Sequence, residues 1–151
     1  MKKFTKILAL CMLVIMVAMT FASCGLLSPK ISKLKENLKD DDYYAYTGDG
    51  EDIEYYVASV LGIKLSKTPD RYLRAEHEDN NDEFLYALSY KKTSDAKKTY
   101  DDLEDWAEDF GKASDEDITW GRIGKVVYIG TVDAVKTAFG FPYSLFIKAK
   151  N

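Results

Sequence analysis

Apolar and polar positions change their spacing along this chain, and each change marks a predicted element. Ile31, Leu34 and Leu38 recur at helical intervals, which predicts a helix over Lys30–Lys39, ended by Asp40–Asp42. Tyr43–Thr47 reads as a tyrosine-rich strand, and Thr47-Gly48-Asp49-Gly50 as a turn. Ile53, Tyr56, Val57, Val60 and Leu61 return to i, i+3, i+4, i+7, i+8 spacing, a second helix stopped by Gly62. Pro69-Asp70 turns the chain into a strand over Arg71–Glu76, and Asn80-Asn81-Asp82 separates it from a partner strand over Glu83–Lys91. Ala96, Tyr100, Leu103, Ala107 and Phe110 then recur at intervals of four, three, four and three. They predict an amphipathic helix over Asp95–Phe110, capped by Thr93 or Ser94 and terminated by Gly111. Ile118–Gly121 and Lys125–Gly130 read as strands. Val132, Val135 and Phe139 outline a short last helix between a Thr131 cap and Gly140. In the tail, Tyr143, Leu145 and Ile147 alternate with Ser144, Phe146 and Lys148. That is the pattern of an extra edge strand or a strap across the core, and also of a strand offered to a partner's sheet.

This order of elements predicts an α+β fold. A ferredoxin-like sandwich is the closest simple architecture: about four strands in an antiparallel or mixed sheet, with the helices covering one face. Its crossover would run from strand Tyr86–Tyr90 through the long helix to strand Val126–Ile129, right-handed. No linker or repeat divides residues 30–151, so they are expected to form a single domain, with an aromatic tail from Gly140.

Ahead of that domain the pattern is different. Lys2, Lys3 and Lys6 precede an uncharged apolar run, Ile7–Ala22, which is shorter than the roughly 20 residues of a spanning helix. A basic start, an apolar middle and small residues before Cys24 make the layout of a secretory signal over 1–23. Phe21-Ala22-Ser23-Cys24 resembles a bacterial lipobox, with phenylalanine where leucine is usual. That resemblance implies a diacylglyceryl group on the sulfur of Cys24 and cleavage before it. An uncleaved anchor helix is the competing reading. Both place the rest of the chain outside the cytoplasm. Residues 24–29 would then be a short tether.

Processing would change the arithmetic. The full chain has 21 basic and 25 acidic residues; without Lys2, Lys3 and Lys6 there remain 18 against 25, a net charge of −7. Such a domain is expected to be repelled by an anionic bilayer within about a Debye length, ~8 Å, and nucleic acid is disfavoured as a partner. With Cys11 removed and Cys24 acylated, no thiol, disulfide or cysteine metal site is expected, and no cofactor.

The lipobox, the strand FLYALSYK (84–91), the helix SDAKKTYDDLEDW (94–106) and the closing GKVVYIGTVDAVKTAF (124–139) together resemble small lipoproteins of anaerobic Gram-positive bacteria. The resemblance implies a surface lipoprotein, brings no activity and supplies no site residue. The tail from Gly140 is an addition to the pattern.

Candidate chemistry is sparse. The single histidine, His77, is crowded by carboxylates in EHEDNND, which favour its charged form, the wrong state for a general base. It reads as a strand-end residue. On the long helix Asp101, Asp105 and Glu108, with Asp102, Glu104 and Asp109, gather opposite the apolar stripe. Like charges at i, i+4 cost a few tenths of a kcal/mol each, about 0.2–0.5, so the face suits a cation or a basic partner, or simply water. No stretch has calcium-loop spacing. Tyr43, Tyr44 and Tyr46 head a cluster of tyrosines that could stack on sugars or peptides, or pack with their hydroxyls in water. GRIG (121–124) precedes a strand and is no phosphate loop. The expectation is therefore a membrane-anchored, non-catalytic binding or accessory domain for a protein or cell-wall partner. A carboxylate-dependent hydrolase of wall glycans or peptides is the alternative, and a solute-binding receptor a third.

Overall fold

A computed structural model describes residues 28–60, 62–80 and 82–150. The expected signal segment, the expected lipobox with Cys24 and most of the expected tether lie outside the described residues, as do Leu61 and Asn81.

Chain order is helix α1 (Ile31–Lys39), strand β1 (Tyr43–Asp49), helix α2 (Gly50–Val60), strands β2 (Arg71–His77) and β3 (Phe84–Ser89), helix α3 (Thr93–Ala113), strands β4 (Ile118–Ile123) and β5 (Val126–Thr131), and helix α4 (Val132–Phe139). The strands form one five-stranded sheet in the order β1-β2-β3-β5-β4, and every neighbouring pair is antiparallel. The α+β class stands. The sheet has one strand more than the four expected, because Ile118–Ile123 is a full strand.

Two features of the ferredoxin-like expectation change. The predicted crossover from Tyr86–Tyr90 to Val126–Ile129 does not occur: β3 and β5 are antiparallel, with Leu85 opposite Gly130 and Ser89 opposite Val126. The long helix delivers the chain to β4 instead, and the tight β4–β5 hairpin folds β5 back between β4 and β3. The helices also occupy both faces rather than one. On the first face α1 and α4 cover Leu73, Ala75, Leu85, Ala87 and Val126, forming the main core with Leu34, Leu38 and Val135. On the second, α2 and α3 bring Ile53, Val57 and Ala96 against Leu88 and Val127. The period of two along β3 sends Leu85 and Ala87 one way and Phe84, Tyr86 and Leu88 the other. Both sets are apolar, so each needs a cover.

Local corrections have local causes. β1 runs on through the expected turn to Asp49, and Gly50 opens α2 directly. Glycine is needed there because a Cβ would collide with the backbone carbonyl of Pro69. α3 starts at Thr93 with Lys92 as its cap residue and no side-chain cap, and it passes through Gly111 to Ala113. Gly111 is buried within the helix rather than ending it. Thr131 is the cap residue of α4 but makes no side-chain cap bond, whereas Gly140, at φ 62°, closes that helix as expected. The tail is a strap, not an edge strand. After a 3-10 turn at Tyr143–Leu145 it buries Ile147 in the main core, and the Lys150 N–H donates to the Ile118 carbonyl at 2.8 Å.

Candidate functional site

The second face is incompletely filled. Between α2, α3 and the sheet lies an apolar crevice of about 290 Å³. Its floor is built by strand register. Arg74 stands opposite Tyr86, which stands opposite Ile129, which stands opposite Trp120. Val57 and Ile63 close one side, and Leu103, Trp106, Ala107 and Phe110 of α3 the other. Leu103, Ala107 and Phe110 belong to the stripe read from the sequence, and Trp106 is added to it; the stripe faces a partly empty space.

Aromatic rings order the lining. Tyr56 stacks on Tyr86, with centroids 6.4 Å apart and 17° between planes. Trp106 stacks on Phe110 at 5.2 Å and 14°, and Phe84 meets Phe110 edge-on at 6.0 Å. Such pairs are worth about 0.5–1.5 kcal/mol beyond burial, so the walls are held rather than loose. Polar groups sit at the margins. Arg74 and Glu76, two apart on β2 and so on one face, bond through Arg74 Nε to Glu76 Oε1 at 3.1 Å. The Arg74 guanidinium lies 6.0 Å from the centre of the Tyr86 ring. The Tyr100 hydroxyl donates to Glu104 Oε1 at 2.6 Å. Burial, then the bond to Tyr56, pushes the Tyr86 hydroxyl up to about 12. Burial, then the bond to Glu104, does the same for Tyr100, to about 12. Both phenols stay neutral at physiological pH and can donate or accept a hydrogen bond. The two carboxylates lining the crevice, Glu76 and Glu104, are each already engaged by these neighbours.

The sequence candidates divide. Tyr44 and Tyr46 are 55% and 63% exposed, and they lie opposite Glu76 and Arg74 on β1. They therefore stand on the crevice's face of the sheet, at its edge. Tyr43 does not join them. One residue out of phase, it is buried on the opposite face, where its hydroxyl donates to Glu83 Oε2 at 2.7 Å and its ring meets His77 edge-on at 4.9 Å. Burial, then Glu83, raises its hydroxyl well beyond the usual tyrosine range. Asp101, Asp105 and Glu108 are exposed on α3. Asp101 borders a second, shallower groove with Lys97, Arg122 and Lys148, and Glu108 is bonded to Lys112 at 2.6 Å, which lowers its pKa. His77 sits at the end of β2, where its Nδ1 accepts the Asp79 N–H at 3.2 Å. Among the described residues no group of three or more His, Cys, Asp or Glu side chains could hold a metal ion. Among them, too, no helix is long and apolar enough to cross a membrane.

Tyr56, Phe84, Tyr86, Trp106 and Phe110 were not singled out as site residues from the sequence. The available signal was the unbroken apolar run FLYAL at 84–88: with no polar alternation, both faces of that strand must be covered. A scan against protein-family models finds no match for this chain. Searches among curated proteins and among solved structures find no match either.

Proposed function

We propose that this chain is an extracytoplasmic lipoprotein, anchored through Cys24, whose domain is a non-catalytic binding module. It accepts an aromatic or branched apolar group, carried by a protein or cell-wall partner, in the crevice between α2 and α3. One observation carries the reading: an open apolar space of about 290 Å³ on the sheet face that also presents two exposed tyrosines, Tyr44 and Tyr46. Binding sites of this kind are concave, mostly apolar and edged by a few polar groups. Tyr44, Tyr46, Arg74 and the Tyr86 hydroxyl supply that edge. The hydrolase alternative has less support, because Glu76 and Glu104 are paired with Arg74 and Tyr100.

The test is site-specific photocrosslinking of the full chain in its own membrane, with a benzophenone amino acid at position 46, 110 or 105. Adducts from 46 and 110 with none from 105 support the crevice. Adducts from 105 alone assign binding to the acidic face and refute it. The anchor is tested separately. Cys24→Ala abolishes incorporation of a clickable fatty acid, and equal label on both chains contradicts the lipobox.

A further inference from the structure

Net charge hides where the charge sits. The sheet has two ends. At one, Ser28, the first described residue, packs against the β4–β5 turn: its Oγ accepts the Lys125 N–H at 2.8 Å. The Lys125 carbonyl accepts the Tyr90 N–H at 3.0 Å, which brings Lys91 and Lys92 to the same end. Arg122 joins them, its Nη1 donating to the Gly124 carbonyl at 2.6 Å, and Lys30 follows Ser28 by two residues. Lys30, Lys91, Lys92 and Arg122 are exposed, and Lys125 is half-buried. Of the carboxylates at this end, Asp70 is paired with Lys91 at 3.2 Å and Asp95 lies in the first turn of α3; Asp49, with Arg71 opposite it, and Glu51 and Asp52 stand at the far β1 edge, across β2 and β3 from the cations around β5 and β4. The other end of the sheet is acidic. It carries the loop Asp40–Asp42 before β1, Glu78 and Asp79 after β2, and Asp115–Asp117 before β4.

The two ends are a strand length apart, about 20 Å at 3.3–3.4 Å per residue. That is more than two Debye lengths at physiological salt, so a surface touching one end barely feels the other. The repulsion expected from a net charge of −7 therefore does not apply to a bilayer that meets the cationic β4–β5 corner of this end, with the β1 edge tilted away.

We infer that the basic end around Ser28, Arg122 and Lys125 is a docking surface for anionic phospholipid, on which the domain stands with its acidic end outward. The orientation agrees with the tether and in that respect rests on the anchor proposed above: from Cys24 to Ser28 the chain can reach no more than about 14 Å. A tether of that length permits the domain to tilt; the cationic end selects the upright pose.

The experiment uses the full processed chain on vesicles of phosphatidylcholine with or without phosphatidylglycerol. A fluorescent non-natural amino acid replaces Ser94 or Ala113, near opposite ends of α3, and energy transfer is read to an acceptor lipid. On anionic vesicles transfer from position 94 is expected to exceed that from 113 at least twofold. The excess should halve on neutral vesicles, in 1 M salt, or in the K30Q/R122Q double variant, whose exposed substitutions leave the core untouched. Each charge removed should weaken the electrostatic contact about fivefold. Equal transfer at both ends on anionic vesicles, or a ratio indifferent to lipid charge and salt, overturns the inference, as does failure to associate with anionic vesicles. A chain that floats only with anionic vesicles, position 94 nearer, leaves the surface standing and removes the anchor.

Discussion

Two buried helical alanines give the crevice a quantitative test. Ala107 on α3 lines the crevice and is 3% exposed; Ala134 on α4 is fully buried in the main core. Substituting leucine at each adds the same three carbon atoms to residues of equal standing in a helix. Ala134 is fully enclosed by the main core. Adding three carbons to a packed core costs about 1–3 kcal/mol. At Ala107 the added atoms enter unfilled volume. Full burial would contribute up to about 0.8 kcal/mol per carbon, less the ordering of the new side chain, for a net gain of about 1 kcal/mol. The two variants should therefore differ by roughly 2–4 kcal/mol and in sign. Urea denaturation followed by tryptophan fluorescence measures this, and in a thermal melt Ala107→Leu should raise Tm by about 4 °C. By filling the crevice, Ala107→Leu should also weaken capture of the proposed partner. Equal destabilisation by the two substitutions would mean that no usable space lies beneath α3, and the binding assignment would fall with it.

Other consequences are local. Gly130→Ala should cost near the top of the 1–3 kcal/mol overpacking range, because its Cβ would strike the Phe84 carbonyl, while Gly62→Ala, at φ 69° in open space, should cost only about 1 kcal/mol in chemical denaturation. Tyr43→Phe removes the bond to Glu83 and should lower stability by about 1.5–2 kcal/mol, whereas Tyr46→Phe should leave it unchanged. The Tyr86 hydroxyl titrates at about 12 when folded, against an ordinary value of 10.0, so its neutral form is favoured by the fold. That contribution is complete below pH 10 and is lost as pH rises from 10 to 12. It is on the order of 1–2 kcal/mol after discounting for solvent, and a pH series of unfolding curves on wild type and Tyr86→Phe isolates it.

Elements were legible in the sequence wherever an apolar period met a breaker. Leu34 and Leu38 before Asp40–Asp42, and Val135 and Phe139 before Gly140, gave α1 and α4 almost to the residue. Two glycines misled: Gly50 begins a helix where a Cβ would strike the Pro69 carbonyl, and Gly111 is buried inside a helix rather than ending it. Arrangement was harder to read. Pairing β5 with β3 in antiparallel sense depends on the β4–β5 hairpin; Ile118–Gly121 and Lys125–Gly130 each read as a strand, but not as partners of one another. The site was legible in part. Tyr44 and Tyr46 were picked out by composition, but composition cannot tell which of three neighbouring tyrosines points inward. The period of two in the strand does so once its register is known, and it sends Tyr43 to the core. The crevice itself is a shortfall of packing between two helices, and no single segment encodes a shortfall.

The binding claim meets its most direct test in methyl NMR of the full chain in lipid nanodiscs, titrated with indole as a probe small enough for about 290 Å³. Shifts should gather on Val57, Leu88, Leu103, Val127 and Ile129, while Leu34, Leu73 and Val135 on the opposite face stay still. Shifts that avoid the first group, or that spread evenly over both faces, would contradict the account.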